Sequence, residues 1–125
     1  MQSVRSQLSF ILVEKCLERK IRLGVEPDNP ELLGLWLQEQ ERKIQQECYT
    51  IEMKRECYLA QFHLLLDVIA DDLVLKHWRC LCLDNIFKPI ASLKRLADDE
   101  LSHRKIHQLV YELSVTSRYF QNGLN

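Results

Sequence analysis

The feature that most constrains this chain is the scarcity of residues that interrupt helices. No proline lies between Pro30 and Pro89, and Gly34 is the only glycine in that interval. Sandwiches, barrels and alternating strand and helix folds need turns rich in glycine and proline every few residues, whereas helices run for many residues without them. Because the whole chain has only three glycines and three prolines, its sequence predicts an all-α fold.

The first predicted helix spans about residues 4–23 and carries a wide arc of apolar side chains. An arc of that width indicates a helix packed against two neighbours rather than along a narrow dimer seam. Gly24 stands where a glycine in the left-handed conformation commonly ends a helix. Two prolines predict that residues 24–30 form a loop, because neither can continue a helix. The apolar residues of the arc include Leu12, Val13, Cys16, Leu17, Ile21 and Leu23.

An apolar repeat of seven residues marks the next segment. Leu37, Ile44, Ile51, Tyr58 and Leu65 recur at this interval, as in the stripe of a coiled coil. The repeat predicts one long, partly coiled-coil-like helix over about residues 30–70, with two helices meeting at a tight joint as the alternative. Around Tyr58, apolar side chains cover most of the helical wheel, so we expect this half to be enclosed by other helices.

Acidic pairs and the third proline divide the rest of the chain. Asp71 and Asp72 are predicted to cap a new helix, because aspartate accepts hydrogen bonds from the first N–H groups of a helix, with a kink in a continuous helix as the alternative. Pro89 then ends or bends that helix, and the acidic run at 98–100 is typical of a helix start. The three predicted helices cover about residues 72–87, 89–96 and 98–121. With 125 residues, we expect a single domain over residues 1–125, built as a bundle of four to five helices.

The second helix begins with more apolar residues than one face can bury in its own bundle. Five of the six residues at 32–37 are large and apolar. We therefore expect this segment and the repeat of seven to dock a partner helix, with Trp36 as a desolvated anchor. A well-buried helix start is the alternative, and a homodimer and a heteromer are both open. The predicted partner-binding residues are Leu33, Trp36, Leu37, Ile44, Cys48, Ile51 and Tyr58.

Few residues have the type and spacing expected of a metal site or a catalytic site. His103 and His107 have the spacing of two ligands on one helical face, and Cys80 with Cys82 would complete a zinc set. In a helix, however, those two sulfurs point about 200° apart. Cys57 would need a neighbouring base and an electropositive setting to act as a nucleophile. We predict no catalytic residue, no metal site and no cofactor, and keep a Cys/His metal-binding domain or enzyme as the alternative.

The charges argue against a nucleic-acid partner. Seventeen basic and eighteen acidic residues leave a net charge of −1, so no overall field attracts nucleic acid or an anionic membrane. The basic stretch at 94–107 keeps weak nucleic-acid binding as a further alternative. The acidic run at 98–100 lies inside that stretch and would repel phosphates.

Cysteine usage indicates the compartment. Five cysteines, an odd number within helical patterns, predict reduced thiols in the nucleus or cytoplasm rather than a secreted protein. The apolar run near the N-terminus is about six residues long, too short for a signal peptide or a membrane span. We therefore expect a non-catalytic interaction or scaffold subunit of an intracellular complex, for which nuclear or cytoskeletal assemblies are an analogy from architecture alone.

Overall fold

The computed structural model describes the backbone of residues 2–123 and the side chains of residues 12–123. That part of the chain contains six α-helices and no strand, which confirms the all-α prediction. They are α1 (Gln2–Leu23), α2 (Glu31–Ile44), α3 (Ile51–Ala70), α4 (Lys76–Asn85), α5 (Phe87–Leu96) and α6 (Glu100–Gly123). Only Ile86 separates α4 from α5, and its φ of −66° and ψ of −19° are helical. The predicted count of four to five therefore holds when α4 and α5 are taken as one bent element.

Helix α3 is the centre of the bundle. It packs against α1, α4, α5 and α6, and its buried side chains follow helical spacing over one broad face. The residues buried on this face are Tyr58, Gln61, Phe62, Leu65, Val68 and Ile69. This burial confirms that the segment after Tyr58 is enclosed by other helices.

The predicted long helix over residues 30–70 is divided by a turn. α2 ends at Ile44, and α3 begins after Thr50, whose hydroxyl accepts a hydrogen bond from the Met53 N–H at 3.1 Å. The repeat of seven runs across this turn, but Ile44 is fully buried while Ile51 is 49% exposed. The spacing of apolar residues alone did not show that the chain turns between Ile44 and Ile51. Apolar residues recur at the same helical interval in α2 and in α3, so the repeat continues across the turn. The longest described helix is instead α6, with 24 residues.

The end of α1 fits closely against α4. Gly24 has a φ of +61°, and its N–H donates to the Lys20 carbonyl at 2.9 Å, which confirms the predicted glycine stop. A Cβ at this position would lie 2.9 Å from side-chain atoms of both Trp78 and Val74. The Trp78 indole N–H donates to the Ile21 carbonyl at 2.9 Å. Glycine is therefore required here both for the backbone conformation and for space.

The acidic pair after α3 has a different role from the one predicted. α4 begins at Lys76, so the expectation that Asp71 and Asp72 cap a helix from residue 72 is wrong. The Asp71 carboxylate accepts hydrogen bonds from Arg22 at 2.7 Å and from the Leu73 N–H at 2.9 Å. The hydrogen bond from Arg22, followed by that from Leu73, lowers the pKa of Asp71. The pair thus shapes the turn and links it to α1.

Arg79 joins α3, α4 and α6. Its Nε donates to the Ile69 carbonyl at 2.9 Å, in the last turn of α3. Its guanidinium carbon lies 4.5 Å from the centroid of the Phe120 ring, a cation–π arrangement. The Tyr119 hydroxyl donates to Asp72 at 2.9 Å. These contacts hold the C-terminal half of α6 against the junction of α3 and α4.

The start of α6 confirms the predicted acidic cap. The Asp99 carboxylate accepts a hydrogen bond from the Ser102 N–H at 2.8 Å, and the bonds from Ser102 lower the pKa of Asp99. Arg55 of α3 donates to the Leu96 carbonyl at 2.6 Å and to Asp98 at 2.8 Å, which fixes the connection before α6. No helix in the described part of the chain has the length and apolarity needed to cross a membrane.

Candidate protein-binding surface

The seven residues of the predicted seam do not form one exposed face. Four of them are buried in the chain's own core: Leu33, Trp36, Ile44 and Tyr58. The other three are half-buried or exposed: Leu37, Cys48 and Ile51. The structure corrects the prediction for these four residues, because their side chains lie in the chain's own core and not on a seam open to a partner.

One exposed apolar surface lies on α1. This helix packs against α2 and α3, the two neighbours that its wide arc predicted. Among the described residues of the arc, however, only Ile21 is buried and Leu17 half-buried. The apolar arc of α1 is wider than the area that α2 and α3 cover. In the sequence, the signal for a surface site was therefore the number of apolar residues in this arc. We call the exposed residues the α1 row: Leu12 (68% exposed), Val13 (66%), Leu23 (47%) and Cys16.

The α1 row borders an open groove between α1 and α2. Val13, Leu17 and Glu14 line its α1 wall, and its α2 wall is lined by Leu35, Trp36, Glu39 and Gln40. Leu35 is 52% exposed, so apolar side chains stand at both edges. The cavity volume is about 270 Å³, below the roughly 300–1,000 Å³ of typical small-molecule sites. The groove therefore suits the side chains of a partner protein better than a small ligand.

The groove contains a buried donor without an acceptor. Trp36 is 2% exposed, and its indole N–H has no hydrogen-bond partner among the described residues. The indole of Trp78, by contrast, is bonded to a backbone carbonyl. An unpaired buried donor costs about 1–3 kcal/mol. Among the described residues, the hydrogen bonding of Trp36 is therefore less complete than that of Trp78.

A polar cavity lies where α1, α2 and α3 meet. The Glu14 carboxylate accepts hydrogen bonds from Gln40 and from Lys43, the latter at 3.2 Å. The cavity has a volume of about 460 Å³ and is also lined by Cys57 and His63. Burial raises the pKa of the Cys57 thiol, so this thiol stays protonated at neutral pH and is a poor nucleophile.

The residues considered as metal ligands lie on α4 and α6. His103 and His107 are exposed on α6, Cys80 is half-buried and Cys82 is buried. Burial raises the pKa of Cys82 to about 12, which disfavours the thiolate that binds metals. Among the side chains of residues 12–123, no group of three or more His, Cys, Asp or Glu is placed to hold a metal ion.

A second groove, of about 430 Å³, lies between α3 and α6. Leu101, 75% exposed, stands at its edge. Both arginines of its lining are ion-paired, Arg55 with Asp98 and Arg104 with Glu100, each at 2.8 Å. The lining also includes Lys105 and Asp99, so it carries both signs of charge. Its apolar lining consists of Leu59, Leu93, Leu101, Ile106 and Leu109.

No protein-family model, no curated protein and no solved structure matches this chain. Its function is therefore inferred from its own surface, where the α1 row and the groove between α1 and α2 place exposed apolar side chains side by side.

Proposed function

We propose that this chain is a non-catalytic protein-interaction module that binds a helix of a partner protein along the groove between α1 and α2. The observation that carries the proposal is the exposure of apolar side chains on both walls, Val13 on α1 and Leu35 on α2. Apolar surface beside an open groove is typical of sites that receive an amphipathic helix. The proposal keeps the expected helix-to-helix mode of binding and places it on α1 and α2.

Such a module would act as a scaffold or adaptor subunit of an intracellular assembly, in the nucleus or the cytoplasm. The cysteines support this compartment, because all five are free thiols and free thiols persist in reducing surroundings. Cys16 and Cys48 are exposed, where an oxidising compartment would favour their oxidation.

The test places a carboxylate on each wall of the groove. Val13→Glu and Leu35→Glu change side chains that are more than half exposed, so the fold should persist. The tagged chain is used to capture proteins from cell extract, and the captured proteins are quantified by mass spectrometry. We expect each variant to lose groove-dependent partners about tenfold, which corresponds to ~1.4 kcal/mol of binding free energy.

Leu73→Glu is the matched control. Leu73 is a 95% exposed leucine in the turn between α3 and α4, so this variant makes the same change of charge away from the groove. Its captured proteins should equal those of the unaltered chain. If Val13→Glu and Leu35→Glu also retain every captured protein while circular dichroism shows unchanged helicity, the proposal is wrong.

A further inference from the structure

The polar cavity where α1, α2 and α3 meet contains two carboxylates without a cation. Glu18 is half-buried on α1, Asp67 is exposed on α3, and both line the cavity. Neither forms an ion pair with any residue from 12 to 123. Among the described residues of the lining, Lys43 is the only lysine or arginine, and its ammonium already donates to the Glu14 carboxylate at 3.2 Å. The lining therefore has more negative than positive charge.

Contacts between α1 and α3 bring the two carboxylates to one cavity. Arg22 on α1 donates to Asp71 on α3 at 2.7 Å. Glu18 and Asp67 precede these two residues by about one helical turn, so each lies on the same side of its helix as that contact. Burial, followed by the charge of Glu14, raises the pKa of Glu18, although the charges of two lysines oppose this. A positive charge in the cavity would offset the repulsion between the carboxylates.

Two buried amide side chains line the same cavity with unused acceptors. Gln61 on α3 is 4% exposed, and no hydrogen bond joins its side chain to the described residues. Gln40 on α2 is 8% exposed and donates through Nε2 to the Glu14 carboxylate. A carboxylate only accepts, so the Oε1 of Gln40 has no donor from this contact. Each amide also borders another groove, but the polar cavity is the one that both line.

We infer that this cavity binds an organic cation, a guanidinium or primary ammonium group on an alkyl stem, between the carboxylates of Glu18 and Asp67. The amide oxygens of Gln40 and Gln61 accept its remaining N–H groups. A guanidinium has five N–H donors and an ammonium three, which suits a lining rich in acceptors. The cavity volume of about 460 Å³ lies within the roughly 300–1,000 Å³ of small-molecule sites. The cavity adjoins the groove between α1 and α2, but its occupation does not require a partner helix.

A metal ion fits the cavity less well than an organic cation. Among the side chains of residues 12–123, no group of three or more His, Cys, Asp or Glu is placed to hold one. A single ion must gather its ligands within about 2–2.6 Å, whereas the N–H groups of an alkyl cation extend over several ångströms. An organic cation therefore reaches acceptors on three helices that one metal ion does not.

The experiment uses the full chain and three probes of matched size: n-butylguanidinium, n-butylammonium and the neutral n-butylurea. Each probe is titrated into the protein, and binding is followed through the amide resonances in NMR spectra. We expect saturable shifts at the residues of the cavity with at least one of the two cations. We expect none with n-butylurea, because it has the shape of the guanidinium without the charge that pairs with the carboxylates.

Three variants test the named contacts. Glu18→Gln keeps the shape of the side chain but removes its charge, and should weaken the bound cation about tenfold. Gln61→Leu should weaken it about threefold or more, while thermal stability is unchanged or higher, because a buried amide without a hydrogen bond is replaced by an apolar group. Glu112→Gln is the matched control. Glu112 is a half-buried glutamate on α6 that does not line the cavity, so its loss of charge should leave the affinity unchanged.

Two peptides distinguish a free cation from a side chain of a partner protein. One is a helical peptide with a single arginine, and the other has the neutral isostere citrulline in its place. If the arginine peptide displaces n-butylguanidinium and binds at least about tenfold more tightly, the cation belongs to a partner's side chain. If it does not, the ligand is a small free cation. Either result supports the inference.

Three outcomes overturn the inference. They are the absence of saturable binding by either cation, equal binding of n-butylurea, and an affinity that Glu18→Gln leaves unchanged while circular dichroism shows an intact fold. None of them bears on the proposed function, because Val13 and Leu35, which test the groove, do not line the polar cavity.

Discussion

The bundle around α3 and the pair formed by α1 and α2 use apolar residues in opposite ways. Around α3, side chains such as Phe62 and Trp78 are fully buried, and the Trp78 indole has its acceptor. Between α1 and α2, the Trp36 indole has no acceptor among the described residues, and Val13 and Leu35 remain more than half exposed. The side chains of Phe62 and Trp78 are thus enclosed by the chain itself, whereas Val13 and Leu35 stay open to a partner.

The largest expected effect is a difference between two truncations to alanine. Phe62→Ala should lower the free energy of unfolding by about 3–5 kcal/mol, because it opens a cavity in a fully packed core. Leu35→Ala should change it by less than about 1 kcal/mol, because Leu35 is 52% exposed. Unfolding in guanidinium chloride, followed by circular dichroism, measures both. Equal losses would show that the groove belongs to the core and would break the comparison.

The two tryptophans give the next largest effect. Trp78→Phe removes one of two donors to the Ile21 carbonyl, which still accepts from the Gly24 N–H at 3.3 Å. It should cost about 0.5–1.5 kcal/mol for the lost hydrogen bond, in addition to the smaller ring. Trp36→Phe removes a donor that has no acceptor among the described residues, so it should cost distinctly less. Thermal unfolding of the two variants provides the measurement. A larger loss for Trp36→Phe would mean that its indole has a partner after all.

The smallest effect concerns pH and the link between α2 and α3. The Tyr58 hydroxyl donates to the Glu41 carboxylate at 2.8 Å. Burial, followed by that hydrogen bond, raises the pKa of Tyr58 from 10.0 to about 12. Since the folded-state pKa is the higher one, the stabilisation is complete below pH 10 and is lost as the pH rises towards 12. Tyr58→Phe should flatten the fall in stability over this interval.

A curve of stability against pH, from pH 8 to about 12, measures this effect by denaturation at each pH. Tyr111→Phe is the control, because Tyr111 is 70% exposed and should leave the curve unchanged. The thiol of Cys82, whose pKa burial also raises to about 12, contributes to the same interval in both variants. An identical curve for Tyr58→Phe and the unaltered chain would contradict the role assigned to Tyr58.

Local residue chemistry predicted the helix ends that depend on one residue. The glycine stop at Gly24 and the acidic cap at Asp99 are both present, because left-handed backbone and N–H acceptors are properties of single side chains. The cap at Thr50 was equally local but was obscured by the apolar repeat that runs across it. Asp71 has a capping residue type, yet its partner is Arg22 of α1, which no local pattern could indicate.

For the candidate site, the sequence predicted that exposed apolar residues exist but not where they lie. The excess of apolar residues was apparent in the sequence, but it was assigned to the stripe through Ile44 and Tyr58, which are buried in the chain's own core. Which part of an apolar surplus stays exposed depends on how many neighbours each helix acquires. That number is set by the direction of the turns and not by the composition of the helix.

The residue pattern was enough to predict that this chain is helical, where most of its helices begin and end, and that it has more apolar side chains than single helical faces can bury. Only the tertiary structure decided that α3 is enclosed while α1 keeps Leu12, Val13, Cys16 and Leu23 exposed beside Lys15 and Arg19. The physical reason is that helical periodicity follows from neighbours along the chain, whereas burial follows from contacts between distant segments.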